Sequence, residues 1–215
     1  MNFEHARHLM IEQQLRPWRI NDDAVIDTLY TDRREEYAPA AMRTLACADV
    51  ALPLGGGAVM LPPKLEAHAL QALAPQEGDK VLEIGAGSGH MAALLARRAA
   101  QVWSFEIDAA LAGQARDNLR RCNVNNVEVI DGDGLNGLAD EAPFDIIMVS
   151  GSLHEIPAAL TQQLAAGGRL LAFVVAGPWT TMRRISRDAA GLRSEDLLET
   201  EAPPLQQPPP ASFEF

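Results

Sequence analysis

Apolar and polar positions recur along this chain in two different periods, and the change between them marks out the elements. From Phe3 to Trp18 the apolar residues Leu9, Met10, Leu15 and Trp18 are spaced among Glu and Gln, which predicts a helix that stops around Arg16-Pro17. Asn21-Asp22-Asp23 then offers a cap for a second helix running through Val25, Ile26 and Leu29. Residues 52–63, with Gly55-Gly56-Gly57 at their centre, are too rich in Gly and Pro for a helix and predict a loop or short hairpin. Beyond them Leu65, Ala69, Leu70 and Leu73 share one helical face.

From residue 80 onward, short apolar runs alternate with helical stretches. Strands are predicted at 80–84, 101–107, 127–130, 145–149 and 169–175, and helices at 91–100, 109–122 and 157–165. Residues 182–187 and 197–200 look like a closing antiparallel pair. Because parallel strands need right-handed crossovers, this alternation predicts an α/β fold: a doubly wound, mostly parallel seven-stranded sheet with helices on both faces. An N-terminal helical extension precedes it. The expected organisation is one domain in three parts: extension and loop at 1–63, core at 64–201, and a tail at 202–215. That tail has five prolines among its fourteen residues and is expected to be extended and partly mobile, pinned by Phe213 or Phe215.

The most informative stretch is Val81-Leu82-Glu83-Ile84-Gly85-Ala86-Gly87-Ser88-Gly89, where an apolar run ends in an acid and then in three alternate glycines. Without Cβ atoms, such residues allow a sharp strand-to-helix turn and a ligand lying against the backbone. A turn used only for tight packing would look the same in isolation. Two later strands end in acids as well. Glu106 lies twenty-one residues after Gly85, where doubly wound folds put a carboxylate for ribose hydroxyls. The third strand runs into Asp131-Gly132-Asp133-Gly134, in which Asp133 can accept from an adenine amino group and Gly134 leaves room for its ring. The glycine spacing is tighter than the Gly-x-Gly-x-x-Gly of pyrophosphate binders and resembles the form found in S-adenosylmethionine methyltransferases.

Charge and composition narrow the partners. Eighteen basic against twenty-nine acidic side chains give a net charge of -11, which repels a phosphate backbone and argues against nucleic acid. Arg183, Arg184 and Arg187 form the densest basic stretch and are read as an exposed strand edge. The acidic run Glu195, Asp196, Glu199 and Glu201 is read as a solvated face. No run approaches the roughly 18 apolar residues of a membrane span, and the first ten residues lack a signal peptide's apolar stretch, so no membrane partner and a cytoplasmic location are expected. Cys47 and Cys122 are far apart and read as reduced packing residues, and the five histidines are scattered, so no metal site is expected.

Over nearly its whole length the chain resembles the protein-L-isoaspartate O-methyltransferase family. The resemblance rests on Tyr37-Ala38-Pro39, Leu52-Pro53-Leu54-Gly55, residues 81–89, Gly132-Asp133-Gly134, residues 141–145, Glu155-Ile156-Pro157, and Leu164 followed by Gly167-Gly168-Arg169-Leu170. It implies a Rossmann-like methyltransferase core that uses S-adenosylmethionine to methylate the carboxylate of isoaspartyl residues in damaged proteins. It further implies that Glu83, Gly85, Ala86, Gly87, Ser88, Gly89 and Ile107 line the cofactor, that Glu106 holds its ribose, and that Asp133 with Gly134 holds its adenine.

The loop departs from the family pattern. Where the family presents a Gln-Thr-Ile-Ser stretch, this chain has Ala58-Val59-Met60-Leu61, and the family serine falls on Leu61. No catalytic residue is therefore assigned, while Val59, Met60 and Leu61 are expected to form the substrate loop. Methyl transfer to a carboxylate needs no general base, because the nucleophile is already ionised at neutral pH. It needs alignment, exclusion of water and donors for the acceptor carboxylate. Three readings stay open: an isoaspartyl methyltransferase, a methyltransferase on a more apolar small molecule, and a non-catalytic S-adenosylmethionine-binding protein. An amino-methyltransferase would carry Asp/Asn-Pro-Pro-Tyr where Val149-Ser150-Gly151-Ser152 stands, and a dehydrogenase would need the wider glycine spacing. Ser150 and Ser152 lie at a strand's carboxyl end, where substrate contact and a plain small-residue turn are both open readings.

Overall fold

A computed structural model describes residues 1–207. Its centre is a seven-stranded sheet built from β3 (Lys80–Ile84), β4 (Gln101–Glu106), β5 (Val127–Asp131), β6 (Phe144–Leu153), β7 (Leu164–Ala176), β8 (Trp179–Asp188) and β9 (Gly191–Thr200). The order is β5-β4-β3-β6-β7-β8-β9. The pairs from β5 through β7 are parallel and those from β7 through β9 antiparallel. The chain therefore winds one way from β3 to β5 and the other way from β6. That reversal opens a crevice at the carboxyl end of β3, where open α/β sheets bind their ligands.

Alternation along each strand sends neighbouring side chains to opposite faces. Val81, Val102, Ile146 and Leu171 join one apolar cluster, while Leu82, Trp103, Ile147 and Leu170 join another across the sheet. The first cluster also contains Met10, Ile11, Leu15, Ile20 and Val25, so the N-terminal extension shares its core with the sheet. In that extension α1 (Phe3–Leu9) runs through a π-turn at Met10–Leu15 into a 3-10 turn at Arg16–Trp18, and α2 (Asp23–Thr31) starts at the Asp22 cap. Buried Arg7 donates Nη2 to both carboxylate oxygens of Glu35 at 2.8 and 2.9 Å, fixing α1 to the turn after α2. The Gly/Pro-rich segment forms an antiparallel hairpin of β1 (Leu52–Gly55) and β2 (Ala58–Met60), followed by α3 (Pro63–Leu73).

Several boundaries differ from the sequence reading. The helix expected over 91–100 is α4 (His90–Ala96), because the Asn126 side-chain amide donates to the Ala96 and Ala99 carbonyls and closes the end early. α5 (Ala109–Arg121) ends one residue short of the expectation. α6 (Ala158–Gln162) is shorter than expected because Leu164 pairs with Phe144 in the sheet. β6 runs four residues past Val149, since Ser152 and Leu153 continue the ladder with β7. Residues 179–188 do not form the sheet edge; β9 does, and across it Arg183 and Arg184 meet Asp196 and Glu195 at 2.6 and 2.7 Å. Those two acids are thus cross-strand partners and more than a solvated face. The tail has a fixed start: Ser152 donates to the Pro203 carbonyl and accepts from the Leu205 amide at 2.7 and 2.9 Å. Phe213 and Phe215 lie outside the described residues.

Candidate active site

The turn after β3 rises directly from the sheet. Gly85, Gly87 and Gly89 have φ of 95°, 52° and 82°, which only residues without a Cβ adopt at little cost. The Gly85 and Ala86 amides donate back to the Phe105 carbonyl at 2.8 and 2.9 Å, tying the turn to β4. The three glycines do different work. Gly85 and Gly87 face the crevice, whereas a Cβ on Gly89 would stand 3.2 Å from the Ala115 carbonyl oxygen of α5. Gly89 therefore serves helix packing. Ala86 and Ser88 face a smaller cavity beneath the loop formed by Val59, Met60 and Leu61.

Glu106 ends β4 with its carboxylate fixed by two backbone donors, Gly87 at 2.7 Å and Asp108 at 3.1 Å. Ile107, Asp133 and Gly134 line the same crevice. A Cβ on Gly134 would lie 2.7 Å from both Ile84 and Phe105, so no larger residue fits there. Asp133 caps its own turn through the Leu135 amide at 3.0 Å. Glu83 departs from the expectation that it lines the crevice. It is wholly buried behind the turn, held by the Ser104 and Ser150 hydroxyls at 2.6 and 2.8 Å. Burial pushes its carboxyl up to about 7 against the opposing pull of those two hydroxyls. Ser150 also borders the crevice, while Ser152 is occupied with the tail.

Sequence reasoning missed the roof. Pro203, Pro204, Leu205 and Gln206 cross the crevice, with Gln206 donating to the Gly56 carbonyl at 2.7 Å and so joining tail to hairpin. Gly151 allows this, because a Cβ there would stand 2.7 Å from the Leu205 backbone. The only sequence signal is one leucine among prolines and glutamines. The loop side chains are also more enclosed than expected: Met60 and Leu61 are 3% and 4% exposed, and Leu61 belongs to the main core cluster. His154 is exposed, Cys47 and Cys122 are free thiols, and no group of metal-holding residues occurs among the described residues.

The crevice lining includes the Glu106 and Asp133 carboxylates and, among the described residues, no Lys, Arg or His. A phosphate-bearing nucleotide would meet repulsion there, while a cationic nucleoside without phosphates meets compensating charge. Glycine turn, ribose-level acid and switch-point crevice define the class of S-adenosylmethionine-dependent methyltransferases. The family follows from comparison: a model described as protein-L-isoaspartate(D-aspartate) O-methyltransferase matches residues 5–202, and the chain belongs to that family. A protein-L-isoaspartate O-methyltransferase of Koribacter versatilis is 39% identical over 94% of this chain and 91% of its own length. One from Roseiflexus castenholzii is 40% identical over 95% and 94%. Among solved structures, a protein-L-isoaspartate O-methyltransferase superimposes with a TM-score of 0.81 at 22% identity, covering 95% of this chain and 66% of that one. A Plasmodium falciparum protein, titled a putative protein-L-isoaspartate O-methyltransferase in complex with S-adenosyl-L-homocysteine, gives 0.79 at 20% identity over 93% and 97%. These matches do not favour an apolar small-molecule acceptor or a non-catalytic binder.

Proposed function

We propose that this chain transfers a methyl group from S-adenosylmethionine to the free carboxylate of isoaspartyl residues in proteins or peptides. The observation that carries the reading is the crevice at the carboxyl end of β3, walled by Gly85, Gly87 and Glu106 and free of basic side chains among the described residues. When bound, the cofactor supplies a methyl group activated by a positively charged sulfur. The rest of the chemistry is positioning.

In this reading the two free faces of the Glu106 carboxylate accept from ribose hydroxyls, since its backbone donors already fix its orientation. Asp133 accepts from the adenine amino group, and Gly134 together with Ile107 forms the slot for the ring. Gly85 and Gly87 offer backbone to the methionyl portion, and Leu205 with the two prolines excludes water from above. Glu83 supports the turn from behind through Ser150 and does not touch the cofactor.

The acceptor enters by the small cavity under Val59–Leu61. Its carboxylate needs donors that the apolar loop lacks, and Ser88, which lines that cavity, is the residue we assign to supply one. No proton has to move, so no general base is required. Titration with S-adenosylmethionine followed by labelled-methyl transfer to an isoaspartyl peptide tests the reading. Binding with transfer is the expected result, and absence of binding contradicts it.

A further inference from the structure

A second cluster of charges lies beneath the acceptor loop, and the chemistry above leaves it unused. Arg34, in the short turn after α2, donates Nε to the Ala46 carbonyl at 2.7 Å and Nη2 to the Leu61 carbonyl at 2.5 Å. Its Nη1 donates to Glu66 of α3. His90, the first residue of α4 after the glycine turn, places Nδ1 2.9 Å from Glu66 and Nε2 2.7 Å from Asp32. The Tyr37 ring meets the imidazole edge-on at 5.0 Å, and Arg97 at the far end of α4 lies 3.4 Å from Asp32. Asp32, Arg34, Glu66 and His90 are all buried.

Buried ion pairs are poor sources of stability, because desolvation offsets most of their attraction; what they fix well is geometry. Here the geometry concerns the two elements that border the cavity beneath the loop. One end of the cluster holds the backbone of the loop at Leu61, and the other is the start of the helix that follows Gly85–Gly89. Glu66 also borders the cavity shared by Val59, Leu61 and Ser88. We propose that Asp32, Arg34, Glu66 and His90 form a positioning network that clamps the Leu61 carbonyl to the glycine-turn helix and so sets the approach of an anionic acceptor to the cofactor crevice. The proposal deepens the isoaspartyl-methyltransferase reading and rests on it.

The electrostatics agree with the clamp. Burial alone would lower His90, but the Glu66 and Asp32 carboxylates overcome it and raise the imidazole to about 9. Burial likewise opposes ionisation of Asp32, and the His90 and Arg97 charges win, holding it low. The charged groups facing His90 are therefore Asp32, Glu66 and Arg34, with Arg97 behind Asp32 and the neutral Tyr37 at the ring edge. Loss of the imidazolium proton leaves a neutral ring with a single N–H, which can donate to Asp32 or to Glu66 but not to both. The clamp loosens as pH rises through about 9.

Arg34→Lys keeps the charge and loses the fork that reaches Ala46, Leu61 and Glu66 together. Melting and cofactor titration establish that the variant is folded and loaded. Its KM for an isoaspartyl peptide is expected to rise about tenfold with cofactor affinity changed by less than about threefold, and amide exchange at Val59–Leu61 to accelerate about tenfold. Wild-type kcat/KM is expected to fall as pH rises through about 9, and His90→Gln to abolish that fall. Unchanged KM and exchange in folded Arg34→Lys, or an unaltered alkaline limb in His90→Gln, overturns the proposal. If Arg34→Lys does not fold, Glu66→Gln gives the same readings with shape retained. A wild-type chain that binds cofactor but leaves the peptide unmethylated contradicts the acceptor reading, and amide exchange then decides the clamp by itself.

Discussion

The Glu106 carboxylate accepts the Gly87 amide at 2.7 Å, so the acid ending β4 and the second glycine of the turn after β3 are joined across the crevice mouth. A second donor, the Asp108 amide, fixes the other oxygen at 3.1 Å. The carboxylate is thus oriented in advance, and a ribose need not order it on binding.

Glu106→Gln replaces one acceptor oxygen by a donor that faces the Gly87 or Asp108 amide, or the ribose. Charge-assisted hydrogen bonds contribute about 1.5–3 kcal/mol each, so S-adenosylmethionine affinity is expected to fall about tenfold to a hundredfold by calorimetric titration. Unchanged affinity would remove Glu106 from the site.

Gly134→Ala inserts a methyl group 2.7 Å from Ile84 and Phe105, both in the sheet interior. Overpacking of this kind costs about 1–3 kcal/mol, and the displaced backbone closes the proposed adenine slot. A lower melting temperature together with weaker cofactor binding is expected. A variant that melts lower but binds as before would assign Gly134 to packing alone.

Glu83 gives stability a pH dependence of definite sign. Burial raises its carboxyl to about 7 in the folded chain, against 4.5 for a free glutamate, so the folded state holds a proton that the unfolded state releases. Glu83 thereby lowers stability progressively as pH rises from about 4.5 to about 7. Glu83→Gln is expected to flatten that part of a denaturant-midpoint profile. An identical slope in the variant would contradict a neutral Glu83.

Leu61→Ser restores the hydroxyl of the family loop but buries it, since Leu61 is 4% exposed within the main core cluster. Loss of the leucine side chain is expected to destabilise the chain by about 2–4 kcal/mol without improving methyl transfer. Ser88→Ala tests the alternative donor: KM for the acceptor is expected to rise several-fold with little change in melting temperature.

The sheet and the crevice were legible because their signals are local. β3 is a short run of Val81, Leu82 and Ile84 around Glu83, bounded by Lys80 and Gly85, and the acids ending β4 and β5 follow their strands directly. β6 was read short because Ser150-Gly151-Ser152 has poor strand propensity, and only the ladder with β7 and the returning tail extends it. Leu61 was read as facing the acceptor, but a leucine on a loop gives no hint of which side packs. The Asp32–His90–Glu66–Arg34 network was invisible for a different reason. Its members are up to 58 positions apart and each, taken singly, looks like an ordinary polar residue. Only the fold brings them together.

Isoaspartyl specificity is read from methyl transfer to a matched pair of peptides that differ only in whether one residue is isoaspartyl or aspartyl. The full chain, loaded with labelled S-adenosylmethionine, is expected to form a base-labile methyl ester on the isoaspartyl peptide and to leave its isomer unlabelled. Equal labelling of both peptides, or none on either by a chain that binds the cofactor, would contradict it.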